Sequence, residues 1–294
     1  MKILQYSKFF LVLSVVLVLA SIASIALFGL ELGIEFTGGS ILEVEYEGER
    51  PSADEVKVQV QDLELGYVSV QPVGEARMLL RTKDITTETH DAILESLGKG
   101  ATELRFESIG STIGSELRGQ TIWIVVFGIV IILLYVMIAF RRITAPFHSW
   151  QYSIAAIIAL MHDLIIPIGI IAVLGVTLDV QFTIPIVVAL LTVLGYSIND
   201  TVVVFDRIRE RVLSQETFDV QYLLNQSFWQ TLPRNIATSI TTLAVLSSIL
   251  FFGGDTLHYF ALTLIIGIIA GTYSSLFLAP SFLLWVVRRR QIRG

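Results

Sequence analysis

Asp200 is the residue whose setting demands chemistry. It lies in the stretch Phe182 to Arg211, FTIPIVVALLTVLGYSINDTVVVFDRIRER. A membrane-spanning helix needs about 20 mostly apolar residues, and Phe182–Phe205 supplies them. An ionisable group near the middle of such a helix costs roughly 2.5–3.5 kcal/mol on insertion scales. Loss of water favours the neutral carboxyl and a neighbouring cation favours the carboxylate. A group pulled both ways can release a proton when the cation moves. Thr192, Gly195, Tyr196, Asn199 and Asp200 recur at helical spacing, so that face is expected to meet protein or water rather than lipid. The alternative is a packing role for Asp200, satisfied by a neighbouring helix.

The candidate cation is Arg234. It follows Pro233, a favoured first helical residue, so the pair is expected to open the fifth span. Arg234 can equally be an arginine reaching for headgroups. Thr238, Thr241, Thr242 and Ser248 downstream could line a hydrated path, with hydrogen bonds across helices the preferred reading. His162–Asp163 falls midway along the third span. It has no second His at i+4 and no HExxH pattern, so a metal is not expected; a second carboxylate on the proton path or a structural hydrogen bond is. Asp206 beside Arg207 and Arg209 reads as a surface pair. Gly267, Gly271, Ser274, Ser275 and Ala279 make a small-residue contact face on the last span.

These residues need a scaffold in the membrane. Of 294 residues 54% are hydrophobic and 16% charged, which excludes an ordinary soluble domain. With no cysteine, thiolate metal sites and cysteine nucleophiles are excluded, and no cofactor is expected. Six apolar segments stand out: Phe9–Leu30, Ile122–Phe140, Ile154–Val176, Phe182–Phe205, Ile236–Phe252 and Leu257–Val287. The first exceeds a secretion-signal core and is read as a retained anchor. Lys2 and Lys8, Arg141 and Arg142, Arg207–Arg211 with Arg234, and Arg288–Arg293 all fall on one side if both termini are cytoplasmic. The acidic block Glu31–Arg118, with 18 acidic and 8 basic residues, then lies outside and argues against nucleic acid.

That block reads as βαββαβ, a ferredoxin-like split βαβ unit. Leu42, Val44 and Tyr46 alternate with glutamates as a strand. Ser52 and Glu55 form a capping box ahead of the stripe Val56, Val60 and Leu63. Strands at Tyr67–Val73 and Ala76–Lys83 turn at Pro72–Gly74, a helix runs from Thr87 to Leu97, and Thr102, Leu104 and Phe106 alternate in a last strand. His90 is read as solvated. Thr217–Gln230, with Phe218, Tyr222, Leu223, Phe228 and Trp229, reads as an amphipathic helix on the membrane or an ordinary loop helix. The expected organisation is residues 1–30 as N-terminus and first span, 31–120 as exterior head, and 121–294 as spans two to six with a cytoplasmic C-terminus.

Several long motifs resemble the SecD/SecF family. GIEFTGGS (Gly33–Ser40, carrying Gly33, Phe36, Gly38 and Gly39) is similar to its opening signature, and GYSINDTVVVFDRIRE (Gly195–Glu210) to its fourth-span motif. IGSTIGSEL (Ile109–Leu117), FGG (Phe252–Gly254) and GIIAGTYSS (Gly267–Ser275) resemble later parts. The likeness covers essentially the whole chain, and a six-span unit with one small head is similar to the SecF branch. It implies half of an RND-type bundle in the bacterial inner membrane, with a periplasmic head. The implied partners are SecD, the SecYEG channel and the unfolded exported polypeptide, with YajC and YidC as further candidates. It also implies export driven by the proton motive force, with Asp200 and Arg234 as relay residues and His162–Asp163 in a less defined role. An RND-type exporter half for a lipid or small molecule is the alternative within the superfamily. An intramembrane aspartyl protease using Asp163 and Asp200 is the alternative from another class.

Overall fold

The computed structural model describes residues 3–63, 65–98, 100–140, 147–214 and 219–293, without the side chains of Ser149, Asp255, Thr256 and 290–293. Lys2, Arg141, Arg142, Thr217 and Phe218, on which parts of the sequence reading rest, lie outside the described residues. The chain divides into two compact units, Met1–Glu31 with Ile124–Gly294, and Leu32–Trp123.

In the first unit, α1 (Ser7–Phe28) is apolar apart from Lys8, Ser24 and a line of three serines, Ser7, Ser14 and Ser21. Those serines recur every seven residues, all are buried, and α1 packs along α6. In the second unit, α2 (Ile34–Thr37), β1 (Gly39–Tyr46), α3 (Ala53–Gln59), β2 (Ser69–Val73), β3 (Arg77–Thr82), α4 (Thr87–Leu97) and β4 (Ala101–Ile109) follow in order. The sheet is antiparallel with strand order β2-β3-β1-β4, the ferredoxin-like arrangement the sequence pattern predicts. Its core is Leu42, Val44 and Tyr46 from β1 with Val56, Val60, Met78, Leu80, Ile93 and Leu97.

The capping box forms: Ser52 N donates to Glu55 Oε2 (2.7 Å) and Glu55 N to Ser52 Oγ (3.3 Å). These backbone and then hydroxyl bonds from Ser52 hold the Glu55 carboxyl below its ordinary value.

Three details of this unit depart from the sequence reading. The β2–β3 turn is Gly74–Ala76, and Pro72 stands inside β2 opposite Met78. β2 is an edge strand, where a missing N–H costs no ladder bond. The alternation in β4 breaks because Glu43 pairs with Arg105 while Val44 pairs with Glu103. Leu104 is therefore the extra residue of a bulge and stands 48% exposed. His90 is not solvated: Nδ1 meets Asp91 Oδ1 and Nε2 meets Glu103 Oε2, each at 3.0 Å, over the Phe106 ring at 4.3 Å.

Helix α5 (Ser111–Ala139) begins in the second unit and ends in the first. Then come α6 (Ser149–Leu178), α7 (Ile184–Leu213), α8 (Val220–Phe252) and α9 (Asp255–Tyr273), and α9 continues through one π turn (Ser274–Leu278) into α10 (Ala279–Arg293). Six helices, the last running from α9 into α10, are long and apolar enough to cross a membrane. The stretch read as a separate surface helix is the first part of α8. Leu223, Leu224 and Phe228 are buried in the bundle core, and Asp219 caps the helix by accepting from Tyr222 N (3.2 Å). Pro233 consequently lies inside α8 rather than at its start. Proline is tolerated inside embedded helices where neighbours satisfy the freed backbone.

The ends of the chain meet the start of α8: Ile3 N donates to Asn225 Oδ1 (2.9 Å) and Arg288 to Gln221 Oε1 (2.6 Å). Near the same end, Phe140, Tyr152 and Phe205 pack ring to ring at 5.0–5.7 Å.

Gly38 has φ +74° and Gly39 φ +132°, conformations in which a side chain is strained. A Cβ on Gly38 would also lie 2.6 Å from Ser111 Cα. Gly38→Ala should therefore destabilise the Leu32–Trp123 unit by at least about 1 kcal/mol, read as faster amide exchange in β1 and the first turn of α5. Glu55 adds a pH dependence. Its lowered value means the capping box contributes fully above the ordinary carboxylate value of 4.5 and is lost as pH falls through the folded value. Amide exchange of α3 should accelerate on acidification below about that pH, and Glu55→Gln should flatten the response.

Candidate functional site: two carboxylates in the helical bundle

Asp163 is fully buried on α6 and is hydrogen-bonded to its helix neighbour and to two other elements. Oδ1 meets His162 Nδ1 at 2.8 Å. Oδ2 accepts from the Ser197 hydroxyl of α7 and from the Ser274 hydroxyl (2.7 Å) in the π turn. One turn further along α7, the Thr201 and Ser275 hydroxyls bond at 2.8 Å. A π turn admits one extra residue into a helix, and here Ser274 is presented to Asp163 of α6 and Ser275 to Thr201 of α7.

Close approach of the last span makes this possible. A Cβ on Gly271 would lie 3.2 Å from Ser197 Cβ and 3.5 Å from Asp163 Oδ2, and one on Gly267 would overlap the Val193 side chain. Gly267 and Gly271 thus form a contact face, with its partner now identified as α7.

Asp200 is placed differently. It is buried, 3% exposed, and its Oδ2 has no hydrogen-bond partner among the described residues. On α8, Asn235 is 1% exposed and both its amide atoms lack a partner among the described residues. Buried polar atoms left in this way are uncommon and call for an explanation. No ion pair joins Arg234 to Asp200 among the described residues. Arg234 instead borders a cavity of about 280 Å³ with Asp206, Arg207, Arg209, Gln230 and Thr231. Asp206 stands 4.0 Å from Arg209, while Arg207 pairs with Glu210 at 2.6 Å.

Several expectations change. The polar residues of the fourth span do not share one environment: Thr192, Gly195 and Asn199 are exposed, and Asp200 points inward. Among the described residues nothing lies within 4 Å of a Cβ on Gly195, and Asn199 is exposed beside it. The hydroxyls of Thr238, Thr241, Thr242 and Ser248 all donate to carbonyls of their own helix, as Thr and Ser do when no partner is offered. Ser239, not singled out from sequence, is the one that crosses, meeting Thr272 at 2.6 Å. Ser197, Thr201 and Asn235 were likewise missed. The spacing of Ser197 and Thr201 at i and i+4 on an apolar helix was the available signal. Asp163 and Asp200 share no hydrogen bond among the described residues, so they do not form the carboxylate pair an aspartyl protease requires. Among the described residues there is no group of three His, Cys, Asp or Glu able to hold a metal. Gly33 precedes α2, Phe36 is buried, and Gly38 and Gly39 make the close approaches described above.

Gly267→Ala should destabilise the bundle by about 1–3 kcal/mol through overpacking against Val193. Thermal unfolding in micelles should show part of that loss recovered in Val193→Ala/Gly267→Ala. Ser197→Ala, by contrast, should be insensitive to residue 193.

The family described as Protein export membrane protein SecD/SecF, C-terminal, matches residues 89–289, and the SecD/SecF GG motif matches residues 23–49. The protein translocase subunit SecF of Desulfurispirillum indicum is 36% identical over 92% of this chain and 87% of its own length. That of Anaerolinea thermophila is 35% identical over 97% and 94%, and that of Pseudomonas aeruginosa 38% identical over 88% and 82%. A crystal structure of SecDF, a translocon-associated membrane protein from Thermus thermophilus, superposes with a TM-score of 0.84 at 31% identity. It covers 96% of this chain, which spans 38% of the length of that one. The architecture, the paired glycines and the matches together place the chain in the SecD/SecF family of protein-export membrane proteins, among its SecF subunits.

Proposed function

We propose that this chain is a SecF-type subunit of the protein translocase, a transport subunit rather than an enzyme. It pairs with a SecD-type six-helix half and uses the proton motive force to promote export across the bacterial cytoplasmic membrane. The observation that carries this reading is Asp200: a buried carboxylate with an unpartnered oxygen, in electrostatic reach of Arg234, on a spanning helix. Asp163 has its hydrogen bonds met and serves as the fixed support, with His162 holding it. Asp200 has room to change protonation state. One charge crossing 100 mV delivers about 2.3 kcal/mol, enough to bias a two-state rearrangement by more than tenfold.

The basic residues at the end of α7 and in α8 support a cytoplasmic position for that end by the positive-inside rule, with the acidic ferredoxin-like head then periplasmic. SecYEG and the unfolded exported polypeptide are the further partners this reading entails. The exposed strip Thr192, Gly195 and Asn199 supports a partner helix, because small and polar residues on a spanning helix favour helix contact over lipid.

Asp200→Asn should insert and fold normally yet support no gradient-dependent export in inverted membrane vesicles. Full export in that variant would remove the relay role. Gly195→Cys should cross-link to a SecD-type partner in native membranes, whereas Ile240→Cys, on an exposed apolar part of α8, should not.

A further inference from the structure

Asn235 on α8 is 1% exposed, and neither its Oδ1 nor its Nδ2 meets a hydrogen-bond partner among the described residues. An amide buried in this way is costly, and two contacts between α7 and α8 show which residue it faces. On one side, the Tyr196 hydroxyl of α7 reaches Ser239 Oγ of α8 at 3.5 Å. On the other, Val203 of α7 and Thr231 of α8 border the same cavity of about 280 Å³. The two helices run antiparallel through these points. Asp200 is one turn beyond Tyr196 on α7, and Asn235 is one turn before Ser239 on α8. A spacing of four residues returns a helix to the same face. Asp200 and Asn235 therefore stand opposite each other, between the two contacts.

Their chemistries match. Asp200 Oδ2 also lacks a partner among the described residues, which brings three buried polar atoms to one level of the α7–α8 seam. The two side chains share no direct hydrogen bond among the described residues. A buried water typically makes about three hydrogen bonds to polar groups that the protein leaves unmet. The cavity beside Val203 and Thr231 is rimmed by Asp206, Arg207 and Arg209 and offers water an entrance one turn away. An amide suits this place because it is neutral and two-sided. Its N–H donates toward a carboxylate and its oxygen accepts from a carboxylic acid, in each case through the water between them. A hydrocarbon at 235 would serve neither form, and a second carboxylate would repel the ionised one.

We propose that Asn235 is the positioning residue of Asp200: one water, shared between the Asn235 amide and the Asp200 carboxyl, holds that carboxyl in place whether or not it carries its proton. Asn235 acts through the water and through Asp200, and touches nothing that is exported. This rests on the relay reading of Asp200 and adds a residue to it.

The chain has three asparagines, Asn199, Asn225 and Asn235, so ¹⁵N-asparagine labelling of the full chain in nanodiscs gives a small set of side-chain amides. The Asn235 amide, assigned by its loss in Asn235→Leu, should show a cross-peak to water in spite of its burial. In Asp200→Leu that resonance should shift and the cross-peak should vanish. In inverted vesicles that contain the partner half, Asn235→Leu should lower gradient-dependent export about tenfold, the weight of one hydrogen bond to a charged group. Asn235→Ser keeps a donor and an acceptor beside the water and should restore most of the loss. A packing role alone predicts the reverse order, with the larger Leu better than the smaller Ser. An Asn235 amide without a water cross-peak, a cross-peak indifferent to Asp200→Leu, or export by Asn235→Leu that equals or exceeds that by Asn235→Ser would each overturn the proposal. The amide signals are read without any export, whereas the relay reading falls on full export by Asp200→Asn, so the two failures are separable.

Discussion

The bundle is organised around the hydrogen bonding of one buried carboxylate. Asp163 gathers His162 from its own helix, Ser197 from α7 and Ser274 from the π turn. In an apolar interior each of these bonds is far better made than left open, so the three helices are tied at one depth and in one rotation. Gly271 lets the last span come close there, since a Cβ would lie 3.2 Å from Ser197 Cβ. The π turn carries both neighbouring contacts, Ser274 to Asp163 of α6 and Ser275 to Thr201 of α7.

Fixing Asp163 sets the contrast with Asp200. The two acids are separated by a single turn through Ser197, yet one is saturated with donors and the other has an oxygen with none. An unsaturated acid in the same bundle responds to whatever cation or proton approaches. Arg234, exposed on α8 and out of ion-pair range, is positioned to influence without neutralising. That difference in satisfaction is the structural contrast on which the proposed roles of the two acids rest.

Much of this was legible in the residues. Hydropathy runs gave six spans, and the glutamate alternation, the Ser52–Glu55 box and Gly98 gave the head its strands and helices. The losses have physical causes. Pro233 is a helix opener by propensity, but burial of Leu223, Leu224 and Phe228 carries α8 straight through it. The β4 alternation misled because a bulge, which no pattern of two reveals, ejects Leu104. Polar residues on α7 were grouped by type, whereas an angle of about 100° per residue separates Asn199 from Asp200. The serine partners of Asp163 were hidden because Ser is common in spanning helices as a self-bonding residue, and only the tertiary contact distinguishes Ser197 and Ser239 from Thr238 or Ser248.

Gly38 and Ser111, which flank the strands Gly39–Ile109 inside the sheet-bearing unit, approach backbone to backbone, and Gly114 meets Gly38 in the same way. An insert whose two ends are pinned side by side behaves as a cassette. Material can be added or exchanged beyond the pin with only the slow, logarithmic entropy of a longer loop, while the flanking spans sense the same anchor points. Evolution of larger or smaller exterior domains on one membrane chassis then needs only that this glycine-lined clasp be kept.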